Sequence, residues 1–161
     1  MAILDPNEIF YTAFEPKQTN RFILYIDGIP SYLVKGMNAV TLSQTAVALN
    51  HINVQRYVKG KTIWNTVTFT LFEAITPAGS QQVMEWVRQS HESLTGRDGY
   101  AAFYKKDITF YLLGPVGDKI EQWTLKGAFI TSANFGELDW ASNDPVSIEL
   151  TLAYDYAILE Y

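Results

Sequence analysis

From Val146 onward, one parity of the chain reads Val146, Ile148, Leu150, Leu152, Tyr154, Tyr156, and the other reads Ser147, Glu149, Thr151, Ala153, Asp155, Ala157. Alternation of this length predicts a strand with one apolar face and one wet, acidic face. Asn65 to Glu73 behaves the same way, with Val67, Phe69 and Leu71 set against Thr66, Thr68 and Thr70. Asn20 to Gly28 and Ser31 to Val40 read as two more strands, joined as a hairpin through the turn Gly28-Ile29-Pro30. Further strands are expected over Asp107 to Leu113 and Lys119 to Phe129, separated by Gly114-Pro115-Val116-Gly117.

One stretch changes period. Val83, Met84, Trp86 and Val87, extended by Leu94, form a single helical stripe over about residues 77–94. Thr76 is placed to cap it, Pro77 to occupy its first position and Gly96 to stop it. Two regions lack a clear period. Residues 1–19 read as an N-terminal arm broken by Pro6 and Pro16, and residues 41–64 as a long loop with room for an extended segment ending near Gly60. The predicted fold is mainly β, an antiparallel barrel or sandwich of about seven strands with one flanking helix. The tryptophans Trp86, Trp123 and Trp140 are expected in the core, with Trp64 bracing the loop. No repeat or composition shift divides the chain, so residues 1–161 are read as one domain.

Composition narrows the function classes. A hydrophobic share of 48% lies well above the disordered range. The absence of cysteine excludes disulfides and thiolate metal sites. MAILDPNEIF lacks the basic and apolar regions of a signal peptide, and no apolar run reaches the roughly 20 residues of a spanning helix, so no membrane association is expected. The net charge of -5 is unevenly placed. After Lys126 there is no Lys or Arg, only Glu137, Asp139, Asp144, Glu149, Asp155 and Glu160. Between Asp27 and Glu73, Lys35, Arg56, Lys59 and Lys61 meet no acid. That acidic closing segment disfavours a basic nucleic-acid groove.

Candidate chemistry is sparse. The histidines His51 and His91 stand in no metal-binding spacing, and no nucleophile elbow or phosphate loop occurs. Arg97 and Asp98 in "GRDGY" read first as turn residues. No catalytic residue, metal or cofactor is predicted, and an enzyme is not expected.

Two stretches carry a likeness. "HINVQRYVKGKTIWNTVTFTLFE" resembles a segment of the tail tube proteins of contractile-tailed phages, with Asn53, Arg56, Gly60, Lys61, Thr62 and Trp64 at similar positions. "GELDWASNDPVSIELTLAYDY" is similar to that family's closing strand, and a helix with a central Trp lies between them. The resemblance runs from about Asn20 to Tyr156. It implies protomers that form homohexameric rings stacked into a hollow tube in the virion tail, assembled in the host cytoplasm. The implied partners are the sheath, baseplate and tape-measure proteins, with DNA passing through the lumen without specific binding. Baseplate tube initiators and secretion-system tube proteins are related alternatives, and a monomeric β-barrel binding a small ligand is a more remote one.

A stacked tube needs one head-to-tail contact around the ring and another along the axis. The 41–64 segment, with Asn53, Arg56, Lys59, Lys61 and Trp64, is the expected inter-ring contact. Glu137, Asp139 and Asp144 of the next ring are its expected acidic partners. Glu149 and Asp155, with Glu121 on the preceding strand, are expected to face the lumen, where carboxylates repel phosphate at short range.

Overall fold

The computed structural model describes residues 15–161, so most of the expected arm lies outside the described residues. The two cleanest alternating runs sit side by side. Strand β5 (Val67–Phe72) pairs antiparallel with β8 (Ser147–Ala153), placing Phe69 opposite Leu150 and Leu71 opposite Ile148. These four side chains and Leu152 are fully buried. Burying each contributes roughly 1.5–3 kcal/mol, which makes this pair the centre of the fold.

The other main-sheet strands extend from that pair. They are β1 (Phe22–Tyr25), β2 (Val34–Met37), β6 (Lys106–Leu113), β7 (Lys119–Asn134) and β9 (Tyr156–Leu159), in the order β1-β6-β7-β8-β5-β2 with β9 also on β7. The sixteen residues of β7 serve two half-sheets. Its first part joins β6 and β9, and its second part joins β8. Leu24, Ile108, Phe110 and Leu125 of one half share a single apolar cluster with Phe69, Leu71 and Leu150 of the other. The fold is therefore a bent antiparallel sheet closed around one core, as the alternation predicts.

Helix α1 (Gly79–Ser90) closes this core with Val83 and Trp86. It is shorter than the predicted 77–94. Ala78 takes the cap position, and Glu73 at the end of β5 supplies the cap by accepting a bond from the Ser80 N–H at 3.0 Å. Leu94 lies beyond the helix and is exposed, so it does not extend the stripe. A short helix α2 (Ala101–Tyr104) follows, and the Tyr104 carbonyl accepts a bond from the Trp86 indole at 2.7 Å.

Three predicted features change. Strands β1 and β2 are not a hairpin: β1 pairs β6, β2 pairs β5, and a 3-10 turn at Ser31–Leu33 carries the chain between the half-sheets. The closing strand shifts register by one residue at a bulge between Ile130 and Ser132 of β7, keeps one alignment from Leu152 opposite Ile130 to Leu159 opposite Trp123, and breaks at Tyr154–Asp155. Gly127, at φ +67, faces that break, where an added Cβ would lie 2.3 Å from the Asp155 carboxylate. Finally, residues 41–64 are not a loop. They form strands β3 (Leu42–His51) and β4 (Val54–Trp64), a separate two-stranded sheet.

Two ion pairs, one between β6 and β7 and one from the segment before β1 to β7, set the response to acid. The Lys126 ammonium, 2.8 Å from Asp107, holds that carboxyl below its ordinary range, and Asp107 in turn raises Lys126. Hydrogen bonds from Lys17 and then the Trp123 indole likewise lower Glu121. The carboxylates stabilise the fold above about pH 4 and lose that contribution as pH falls through their lowered values; Lys126 contributes below about pH 10 and loses it above. The melting temperature is expected to be flat between about pH 5 and 9 and to fall below about pH 4, which a calorimetric pH series checks.

Candidate functional site

The β3–β4 ribbon projects from the body of the protein and is exposed along nearly its whole length. Ten residues of strand give it a reach of roughly 33 Å. At its base Trp64 is half-buried and packs on Tyr154, ring centres 6.2 Å apart, which is the bracing role expected of it. At its tip His51 pairs with Val54 around Ile52 and Asn53. Ile52 is fully exposed with φ 41, a left-handed conformation that is costly for a β-branched residue.

The register assigns every ribbon side chain to a face. Gln44 pairs with Thr62 and Ala46 with Lys59, so Gly60 and Lys61 both oppose Thr45 in a bulge. A Cβ on Gly60 would lie 2.7 Å from the Thr45 carbonyl oxygen. Val47, Leu49, Val54, Val58 and Ile63 therefore share one face with Arg56 and Lys61. Asn50, Gln55, Tyr57 and Lys59 share the other, where Gln55 bonds both Asn50 and Tyr57. The basic trio is thus split: Arg56 and Lys61 stand on the apolar face and Lys59 on the polar one. Gly60→Val is expected to break the bulge locally. Ribbon amides should exchange with solvent at least tenfold faster while the melting temperature of the body shifts by less than about 3 °C, as hydrogen exchange and calorimetry would show.

The acidic candidates lie in the connection between β7 and β8. Glu137, Asp139 and Asp144 are exposed there, and the Asp139 carboxylate accepts a bond from the Ala141 N–H at 3.0 Å. Trp140 shares this loop. Its relative exposure is 107%, which corrects the expectation of a core residue. Gly136, Asp139, Asn143, Asp144 and Pro145 hold the chain in turns until β8 begins at Ser147, so Trp140 never reaches a strand. Leu138 beside it is 89% exposed.

The wet face of the β5–β8 pair is mostly hydroxyl. Thr68 faces Thr151, Thr70 faces Glu149, and Glu149 also stands opposite Asn134. Glu149 has no ion-pair partner among the described residues. Asp155 is matched by Lys105 at 2.9 Å. Glu121 is not brought together with them. It shares a side with Trp123 and Leu125, half-buried against Lys17 at the rim of a cleft of about 340 Å³. His91 and Asp98, 2.7 Å apart and exposed, clasp the turn after α1. Among the described residues no three His, Asp or Glu side chains gather at one point, and no helix is long and apolar enough to cross a membrane.

The half-sheet carrying Glu149 has two open edges. Among the described residues β2 is paired only to β5, and beyond Ala128 no strand pairs with the outer side of β7. Open edges and an isolated ribbon, which is marginal in water without packing on one face, are surfaces suited to pairing and packing with other chains. The chain belongs to the tail tube family: residues 18–158 match the profile described as T4-like virus tail tube protein gp19.

Solved structures share the fold at low sequence identity. A chain of the PVC sheath/tube terminator of an extracellular contractile injection system aligns with TM-score 0.75 and 20% identity, covering 93% of this chain and 100% of that one. A chain of the PVC sheath-tube complex gives TM-score 0.72 and 20% identity over 98% and 99% of the two chains. Hcp1 from Flavobacterium johnsoniae gives TM-score 0.55 and 12% identity over 87% and 94%. No match to a curated protein is found.

Proposed function

We propose that the protein is the tube subunit of a contractile tail, closing into hexameric rings that stack into a DNA-conducting tube within the virion. The observation that carries this is the four-stranded half-sheet β2-β5-β8-β7, wet on one face and, among the described residues, open at both edges. Pairing β2 of one copy with β7 of the next satisfies both edges and repeats head to tail until the ring closes. Four strands from each of six copies, at about 4.8 Å per strand, give a circumference of about 115 Å and a diameter of roughly 37 Å between backbones. That bore accommodates a duplex and its hydration.

In this arrangement the wet face lines the lumen. Threonine and serine hydroxyls carry no charge for phosphate to grip, and Glu149 repels it within a screening length of about 8 Å. Asp155, neutralised by Lys105, adds little to that field. The ribbon's Arg56 and Lys61 meet acids of the next ring, and such exposed pairs set register while contributing only about 0–1 kcal/mol each. Sheath and baseplate proteins are the partners of this tube, a reading supported by the sheath-tube complex and the baseplate among its structural neighbours.

Electron microscopy of the purified protein tests the proposal. Long hollow filaments are expected, isolated rings would favour a baseplate initiator or secretion ring, and a stable monomer would refute self-assembly. Glu149→Lys is expected to make tubes retain duplex DNA at low salt and release it on raising salt, whereas wild-type tubes retain none; a co-sedimentation assay reads the difference.

A further inference from the structure

We propose that Trp140 and Leu138 are the apolar anchor of the inter-ring contact, seated on the Val47–Leu49–Val58 face of a ribbon from a second copy of this chain. The inference rests on the stacked-tube reading and names the residues that hold the stack. Both sides of the contact are apolar and unpartnered among the described residues. Trp140 and Leu138 are 107% and 89% exposed, and Val47, Leu49 and Val58 are each more than 40% exposed. Tryptophan fully offered to solvent is the residue type most enriched among the few that dominate protein interfaces.

Charge selects this pairing over other uses of the two surfaces. The loop carries Glu137, Asp139 and Asp144 around its apolar pair, in a segment without Lys or Arg. The ribbon face carries Arg56 and Lys61 around its apolar residues, in a segment without Asp or Glu. Each surface is therefore an apolar centre with a rim of one sign, and the signs are opposite. Like surfaces would repel, so two ribbons or two loops do not pair, and the contact is heterologous as stacking requires. Lys59, turned to the other face, is not part of it.

The absence of cysteine gives a direct test. Trp140→Cys combined with Val58→Cys, assembled at a protein concentration high enough to offset the lost indole, is expected to yield on mild oxidation a ladder of disulfide-linked oligomers that neither single variant gives. Trp140→Ala is expected to keep its melting temperature and its rings but to raise the protein concentration needed for tube growth at least tenfold, while Trp140→Phe retains most of the growth. Asp139→Lys and Arg56→Glu should each weaken stacking, and the double reversal should restore part of it. If wild-type tubes form but Trp140→Ala polymerises at unchanged concentration, the anchor is overturned and the tube reading stands. A Trp140→Ala variant that folds but makes no rings also overturns it, by placing Trp140 in the contact around the ring. Wild-type protein that never assembles overturns both.

Discussion

Replacing residues 45–61 with Asn-Gly is expected to leave a folded protein that makes no tubes. Gln44 and Thr62 are a register pair, so a two-residue turn closes the shortened strands without strain. None of the removed residues belongs to the core cluster or packs against it. The melting temperature should therefore stay within a few degrees of wild type. What the protein loses is a projecting surface that reaches roughly 33 Å beyond its body. Sedimentation and electron microscopy should show rings or smaller species and no filaments at any concentration tested. Filaments of normal length from this variant would remove the ribbon from the axial contact.

The second large effect lies in the core. Phe69 is completely buried between Met37 on β2 and Leu150 on β8, and it belongs to the cluster shared by both half-sheets. Phe69→Ala is expected to cost about 3–5 kcal/mol by leaving a cavity. Against a total of about 5–15 kcal/mol for a domain of this kind, that brings the protein to the edge of unfolding. Chemical denaturation should show the midpoint falling with little change in slope, and Phe69→Leu should lose less than half as much. A loss below about 1 kcal/mol for Phe69→Ala would mean that the half-sheets do not share one core.

What could be read from the sequence followed how strictly burial obeyed a period. Val67, Phe69 and Leu71, or Ile148, Leu150 and Leu152, have one face in the core and one in solvent, so their alternation was clean and their strands were found. The ribbon hides its pattern for a physical reason. Neither of its faces is buried in the single chain, and the bulge at Gly60–Lys61 shifts the parity of β4 midway. Val47 and Leu49 alternate on one strand, but Val58 and Ile63 fall on opposite parities of the other while sharing the same face. The candidate site residues are legible as a charge pattern, with a basic segment and an acidic one. Their division between faces, which separates Lys59 from Arg56 and Lys61, is not, because it depends on that one inserted residue.

Trp140 marks the opposite limit. A large aromatic beside an alternating run resembles a core residue until the turn-forming residues on either side of it are counted. Glu121 was grouped with Glu149 as a wet-face acid, yet its parity matches Trp123 and Leu125, and it faces the inner side of the sheet. Both cases follow from geometry set by a neighbouring strand or turn and not by the residue's own chemistry. The family resemblance pointed to the right architecture through the segments from His51 to Glu73 and Gly136 to Tyr156, and the matched range of 18–158 contains both.

The most direct test of the central claim is a cryo-electron-microscopy reconstruction of the assembled wild-type protein. A hollow tube of stacked six-fold rings is expected, with Glu149, Thr70 and Thr151 on the lumen wall and the 42–64 ribbon crossing from each ring to the next. A reconstruction with Glu149 on the outer wall, or with every ribbon confined to its own ring, would contradict it.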